Sequence, residues 1–160
     1  MVEVSAKVLE HFRNPRNVGV IEGADGHGKV QNPICGDVTD IYIRIVDGII
    51  VDASFTSLGC FATIASASAL TEIVKGRRLD ELLAYNNSVV EVIERLMDMV
   101  RAELGNLPKE KWHCPPASLE AFLRAIIQYY VKKGDSDKVK LLEEILETIK
   151  PYYMKGREKL

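Results

Sequence analysis

The segment Asp40–Leu58, DIYIRIVDGIIVDASFTSL, decides the fold of this chain. Isoleucine occupies every second position from Ile41 to Ile45, which is the period of two typical of a β-strand. Asp47-Gly48 is a common two-residue hairpin turn, because such turns need positive φ at both positions. The alternation resumes from Val51 to Phe55, so the segment predicts an antiparallel hairpin.

The sequence around this hairpin is dominated by helical patterns. Apolar residues recur with the spacing of amphipathic helices and predict helices over residues 5–13, 61–75, 79–84, 88–104, 115–133 and 136–150. A further short strand is predicted at residues 29–31. Because the strands lie in the first part of the chain and most helices follow, the predicted fold class is α+β. It consists of a small antiparallel sheet of about three strands packed against several helices.

The composition is that of an ordinary globular protein. Hydrophobic residues make up 47% and charged residues 28% of the 160 residues, which argues against a disordered or fibrous chain. A net charge of -2 gives no basic surface for nucleic acid. The apolar runs are too short to cross a membrane, and Met1–Lys7 lacks the pattern of a secretory signal. We therefore expect a cytoplasmic protein.

The three cysteines are the candidates for chemistry. An odd, small number of cysteines argues against a disulfide framework and for reduced thiols. Cys35, Cys60 and Cys114 all lie at predicted ends of strands or helices, whereas core cysteines more often lie within apolar stripes. Cys60 and Cys114 precede predicted helices, whose unpaired N–H groups and dipole favour thiolate.

Two further side chains extend this set. His113 adjoins Cys114, and Asp37 follows Cys35 at a spacing that can bring a carboxylate and a thiolate to one side. Thiolates with an imidazole fit zinc or an iron–sulfur cluster, so the pattern predicts a shared metal site. Taken singly, each residue also has a simpler interpretation: a buried hydrophobic cysteine, a hydrogen-bonded histidine, or an aspartate that caps a turn or strand.

Several separated motifs resemble one known family. They lie at residues 14–19 (NPRNVG), 35–37 (CGD), 59–60 (GC), 64–68 (IASAS), 72–76 (EIVKG) and 111–114 (KWHC). In this order they resemble the NifU/IscU-type iron–sulfur cluster assembly scaffolds, over about residues 4–133. The resemblance implies a SufE/NifU-like fold and transient assembly of a [2Fe–2S] cluster from iron and sulfide.

The resemblance also implies a role for each candidate residue. The matching cysteines of the family bind the cluster, and either Asp37 or His113 would supply the remaining ligand. Cys114 would accept persulfide sulfur from a cysteine desulfurase, and Lys111 would assist the site. Zinc can occupy the same residues in this family. The finished cluster would pass to apo iron–sulfur proteins, and a homo-oligomer is possible.

The chain departs from the family pattern in several places. Val4 stands where the family has a tyrosine, and the stretch between Cys60 and His113 is longer than in the usual scaffold. Residues 107–111 read LPKEK instead of the chaperone-recognised Leu-Pro-Pro-Val-Lys, which puts dependence on a specialised Hsp70 chaperone in doubt. The final predicted helix lies beyond the resemblance. We therefore predict a scaffold domain over residues 1–134 and an additional C-terminal helix within residues 135–160, packed on the same domain.

Other functions fit the same residues and stay open at this point. A zinc-binding sulfur acceptor or sulfurtransferase would use Cys114 as its nucleophile. A Cys–His–Asp hydrolase is a weaker hypothesis, because His113 is badly placed to act as base towards its own neighbour. A purely structural zinc site would not require accessible ligands. The leading hypothesis is a scaffold without enzymatic activity.

Overall fold

The structure of the protein is a computed structural model, and it describes residues 4–84 and 88–155. Its elements are α1 (Ala6–Arg13), β1 (Gly26–Gln31), β2 (Val38–Val46), β3 (Ile49–Leu58), α2 (Phe61–Val74), α3 (Leu79–Leu82), α4 (Val89–Leu104), a 3₁₀ turn (Lys109–Lys111), α5 (Cys114–Lys133), α6 (Ser136–Glu147) and α7 (Lys150–Lys155). The strands form an antiparallel sheet in the order β1-β2-β3. The predicted α+β class is confirmed.

The predicted hairpin is formed by β2 and β3. Its turn residues Asp47 and Gly48 have φ values of 50° and 75°, as the two-residue turn requires. The return strand differs from the predicted alternation, because the register shifts between Arg44 and Ile45. Ile50 pairs with Ile45 and is buried, whereas Val51 is 43% exposed. Because of this β-bulge, Ile50 lies in the core at the place where alternation predicts Val51.

The helix α5 lies unusually close to β1. A Cβ atom added to Gly26 would lie 2.1 Å from the carbonyl oxygen of Ala125, and one added to Gly28 would lie 1.9 Å from that of Ala121. Both distances are far below van der Waals contact, so glycine is required in β1 for this approach. The contact places the end of β1 beside the first turn of α5.

The C-terminal helices pack on the same core. Helix α6 contacts α4 and α5, and its Leu142 and Ile145 are buried. The sequence predicts one helix that ends before Pro151, but the structure ends α6 at Glu147 and starts α7 at Lys150. Pro151 is tolerated there because a proline in the first helical turn removes no intrahelical hydrogen bond. The predicted division at residue 134 stays a prediction.

Within the two described ranges, no helix combines the length and the apolar character that a bilayer crossing needs.

Candidate metal centre

Two of the three cysteines meet where two helices begin. Cys60 is the N-cap of α2, and Cys114 is the first residue of α5. Their sulfur atoms are 4.0 Å apart. Cys60 is partly exposed, whereas Cys114 is fully buried. The predicted placement of these thiols at helix N-termini is confirmed.

One hydrogen bond joins these two sulfur atoms and shifts their pKa values in opposite directions. The bond to Cys114 lowers the pKa of Cys60, and backbone N–H groups of the α2 N-terminus contribute to the same shift. The bond to Cys60 and its burial raise the pKa of Cys114 far above the ordinary value of a thiol. Cys60 is therefore the thiolate of the pair, and Cys114 holds the proton.

Asp37 is joined to Cys60 through α2. Its Oδ2 atom accepts hydrogen bonds from Thr63 Oγ1 at 2.6 Å and from the backbone N–H of Cys60 at 3.0 Å. Burial acts to raise the pKa of Asp37, but these hydrogen bonds outweigh it and the pKa is lowered. A Cβ atom on Gly59 would lie 2.7 Å from the same oxygen, so only glycine leaves room for this carboxylate.

Cys35 lies on the turn that connects β1 to β2. The turn is closed by a hydrogen bond from the Asn32 N–H to the Asp37 carbonyl at 2.7 Å, and Gly36 adopts a left-handed φ of 81°. In contrast to the other two cysteines, Cys35 is exposed. The turn thus presents one thiol to solvent next to the Asp37 carboxylate.

His113 and Lys111 flank the start of α5. His113 occupies the position before the helix and is 7% exposed. The Lys111 Nζ atom lies 5.8 Å from the centre of the Phe61 ring, and Phe61 follows Cys60. The structure therefore places the KWHC motif beside the N-terminus of α2.

The donors do not form a finished coordination shell. Across residues 4–84 and 88–155, no group of three or more His, Cys, Asp and Glu side chains is arranged to hold a metal ion as it stands. The pair Cys60–Cys114 is in direct contact, and Asp37 is joined to it through Thr63. A centre that uses all three cysteines would add the exposed Cys35 to this pair.

Sequence reasoning misses two residues of the site. Thr63 orients the Asp37 carboxylate, and Asn32 ties the Cys35 turn to the start of α5 through a hydrogen bond to the His113 carbonyl at 2.9 Å. Thr63 lies three positions after Cys60, and helical spacing alone would have predicted that these two side chains are neighbours. Nothing in the sequence around Asn32 signals a partner 81 residues away.

Comparison with known proteins identifies the family. The NifU-like N terminal domain family model matches residues 3–136. The chain belongs to this family. The protein named iron–sulfur cluster assembly scaffold protein IscU 1 from Archaeoglobus fulgidus is 46% identical over 138 residues, which cover 86% of this chain and 84% of that protein. IscU of Escherichia coli is 41% identical over 133 residues, which cover 81% and 95% of the two chains.

A solved structure has the same fold. The crystal structure of FiSufU from Fervidobacterium islandicum, titled as a scaffold protein for the SUF system, matches this NifU-like chain with a TM-score of 0.57. The match covers 76% of this chain and 95% of that one, at 20% sequence identity. The predicted family membership and the NifU-like fold are both confirmed.

Proposed function

We propose that this NifU-like protein is a scaffold on which a transient [2Fe–2S] cluster is assembled and from which it is passed on. The cluster is cargo, and Cys35, Cys60 and Cys114 are its thiolate ligands. Asp37 or His113 completes the coordination. The scaffold catalyses no reaction of its own beyond accepting sulfur and iron.

The main support is the meeting of two cysteines at two helix N-termini. Cys60 and Cys114 have sulfur atoms 4.0 Å apart, and the lowered pKa of Cys60 supplies a thiolate at neutral pH. Thiolates are the ligands that iron–sulfur clusters use. Because metal binding requires deprotonated thiols, the iron would displace the proton that Cys114 holds.

Asp37 is a suitable ligand for a cluster that the scaffold must release. A carboxylate is a hard ligand and matches the iron of a sulfide cluster less well than a thiolate does. The Asp37 carboxylate is also held by Thr63 and the Cys60 N–H, so its bond to iron would compete with existing hydrogen bonds. Both effects weaken the coordination and favour release.

Sulfur delivery uses Cys114 in this proposal. Once the site opens, Cys114 loses its proton to solvent, and the Cys114 thiolate attacks the terminal sulfur of a persulfide on a cysteine desulfurase. The S–S bond of that persulfide breaks, and the desulfurase cysteine leaves as a thiolate. Because Cys114 is fully buried, the step requires the site to open. Lys111, whose ammonium lies near Phe61, would attract the incoming persulfide anion.

The partners follow from this chemistry. A cysteine desulfurase supplies sulfur, an iron source supplies ferrous iron, and apo iron–sulfur proteins receive the cluster. We place the function in the cytoplasm. Residues 1–134 form the scaffold domain, and the C-terminal helices are an addition packed on it.

Anaerobic reconstitution tests the proposal against its alternative. The protein is incubated with ferrous iron, a desulfurase and cysteine, and is followed by visible absorption and by mass spectrometry of each thiol. Absorption of a [2Fe–2S] centre supports the scaffold. Tight binding of zinc, with a persulfide on Cys114 and no cluster, would instead support the zinc-binding sulfur acceptor.

A further inference from the structure

Asn32 closes the turn that carries Cys35. It follows β1 and is 2% exposed. Its backbone N–H donates to the Asp37 carbonyl at 2.7 Å, and its own carbonyl accepts from the Gly36 N–H at 2.9 Å. Both bonds lie within the segment between β1 and β2, so they define the shape of the turn.

The side chain of Asn32 joins this turn to a second element. Its Oδ1 atom accepts from the Ile34 N–H at 2.9 Å, which is an interaction within the turn. Its Nδ2 atom donates to the His113 carbonyl at 2.9 Å, across 81 residues of sequence. One buried amide therefore connects the turn of Cys35 to the residue that precedes Cys114.

The close contact between β1 and α5 supports this connection. Gly26 and Gly28 allow the backbone of β1 to approach Ala121 and Ala125 of α5. Neither element can shift towards the other without a clash. The end of β1, where Asn32 stands, and the start of α5 are thus held together by backbone packing and by the Asn32 amide.

The other side-chain contacts of the turn do not reach α5. Gln31 Nε2 approaches the Gly36 carbonyl at 3.5 Å within the same strand–turn unit, and Asp37 accepts from Thr63 and the Cys60 N–H of α2. The bond from Asn32 to His113 differs because it is the side-chain hydrogen bond that connects the turn to the start of α5, where Cys114 lies. A role in turn formation alone would need only the bond from Ile34.

We propose that Asn32 is a positioning residue that sets the place of Cys35 relative to Cys114. The inference rests on the proposed function, since it concerns thiols that would bind one cluster. Loss of the bond to His113 removes the hydrogen bond between the turn and α5, while Asp37 still holds the turn to α2. The effective concentration of Cys35 near Cys114 is then lowered. Every centre that bridges the two thiols then binds more weakly.

The test is a bridging reagent that does not depend on cluster assembly. Phenylarsine oxide, a trivalent arsenical that binds two thiols, is titrated into the Cys60→Ser protein, in which bridging must use Cys35 and Cys114. Asn32→Ser is the main variant, because its hydroxyl can still accept from the Ile34 N–H but is too short to reach His113. We expect about tenfold weaker arsenical binding in this variant.

The matched control, Ser54→Ala, loses a similar hydrogen bond at another position in the chain. Ser54 is 8% exposed, and its hydroxyl donates to the Gly19 carbonyl at 2.7 Å. Ser54→Ala in the same Cys60→Ser background should change arsenical binding by less than about twofold, because distant sites act independently. Circular dichroism and the melting temperature show whether each variant is folded, and Asn32→Ala serves as a second variant.

The outcomes separate this inference from the proposed function. Equal arsenical binding by the Asn32→Ser variant and its parent, or no bridging in the parent, would overturn the role of Asn32. In the protein with all three cysteines, Asn32→Ser should also shorten the lifetime of a reconstituted [2Fe–2S] cluster by about tenfold. If no cluster forms even with Asn32 present, the proposed function fails while the arsenical result still decides the role of Asn32.

Discussion

The two halves of the site differ in how far their thiols are exposed to solvent. Cys60 and Cys114 lie at the starts of two helices, in contact with each other, and Cys114 has no exposed surface. Cys35 lies on an exposed turn next to Gly36, which has a left-handed φ. The helices thus prepare two thiols in advance, while the third is carried by a segment that solvent can reach.

This difference suggests how a site could both build and release its cargo. A centre held entirely by buried, preformed ligands would bind tightly and exchange slowly. Here the exposed turn supplies one thiol together with Asp37, whose hydrogen bonds to Thr63 and the Cys60 N–H would break if this side of the site opened. The close packing of Gly26 and Gly28 against α5 holds the side of the site that carries Cys35 in position relative to the helices.

The largest expected effect comes from separating β1 from α5, whose close contact holds the Cys35 turn in place. Gly28→Ala would place a Cβ atom 1.9 Å from the Ala121 carbonyl oxygen, so β1 and α5 must separate. We expect a loss of about 3 kcal/mol in the free energy of unfolding, measured by urea denaturation. Gly23→Ala, which meets nothing within 4 Å, should cost only about 1 kcal/mol for its positive φ. Equal losses would contradict the close contact.

Thiol labelling measures the difference between the two halves directly. In the protein without metal, iodoacetamide should modify Cys35 at least about a hundredfold faster than Cys114, because buried Cys114 reacts only through local opening. The raised pKa of Cys114 acts in the same direction. Mass spectrometry of timed samples gives both rates, and labelling in denaturant is the control. Similar rates in the folded protein would mean that the halves are equally open.

The ligand on the exposed side sets the lifetime of the cluster. Asp37→Ala removes a hard ligand, and we expect the reconstituted cluster to persist about tenfold longer. Asp40→Ala is a suitable control, since Asp40 binds His27 on the sheet and its loss should leave the lifetime unchanged. Visible absorption followed over time gives both values. An equal or shorter lifetime in Asp37→Ala would count against this role.

A smaller effect on stability is expected for the hydrogen bond from Thr63 to Asp37, which joins the Cys35 turn to α2. Thr63→Val removes the hydroxyl that donates to Asp37 and should cost about 1 kcal/mol of stability at neutral pH. Because the pKa of Asp37 is lowered in the folded protein, its contribution is present above the unfolded pKa and is lost as pH falls through the folded pKa. The cost of Thr63→Val should therefore shrink in acid.

Thr71→Val provides the matched comparison on the same helix. Thr71 is buried, donates to neutral carbonyl groups of Ala67 and Ser68, and accepts from the neutral side-chain amide of Asn17. Its loss should cost a similar amount at every pH, because no carboxylate takes part. Urea denaturation over a range of pH values checks both variants, and a pH-independent cost for Thr63→Val would contradict the proposed link to Asp37.

The local patterns of the sequence predict most of the fold. Alternation and the Asp47-Gly48 turn predict the hairpin, and helical spacing predicts α4 and α5 close to their observed bounds. The bulge that buries Ile50 instead of Val51 was not predicted, because alternation alone does not reveal a register shift. The break before Pro151 was also missed, since a proline can start a helix as well as follow one.

The sequence predicts the site less completely than it predicts the fold. Cysteine placement at element ends and the CGD and KWHC motifs indicate which donors to consider. The contacts that orient them depend on tertiary structure: Asn32 meets His113 only because β1 packs against α5. Gly26 and Gly28 likewise lie outside the strand predicted at residues 29–31, but the structure places both in β1 and requires them for close backbone packing.

The central claim is that the three thiols together carry one cluster that can be handed on. The most direct measurement is transfer from the reconstituted protein to an apo-ferredoxin under anaerobic conditions, followed by circular dichroism in the visible range. We predict that the protein loads the ferredoxin, and that Cys35→Ser, Cys60→Ser and Cys114→Ser each fail to do so. Transfer that survives the loss of one of these cysteines would contradict the claim, as would a cluster that forms but never leaves.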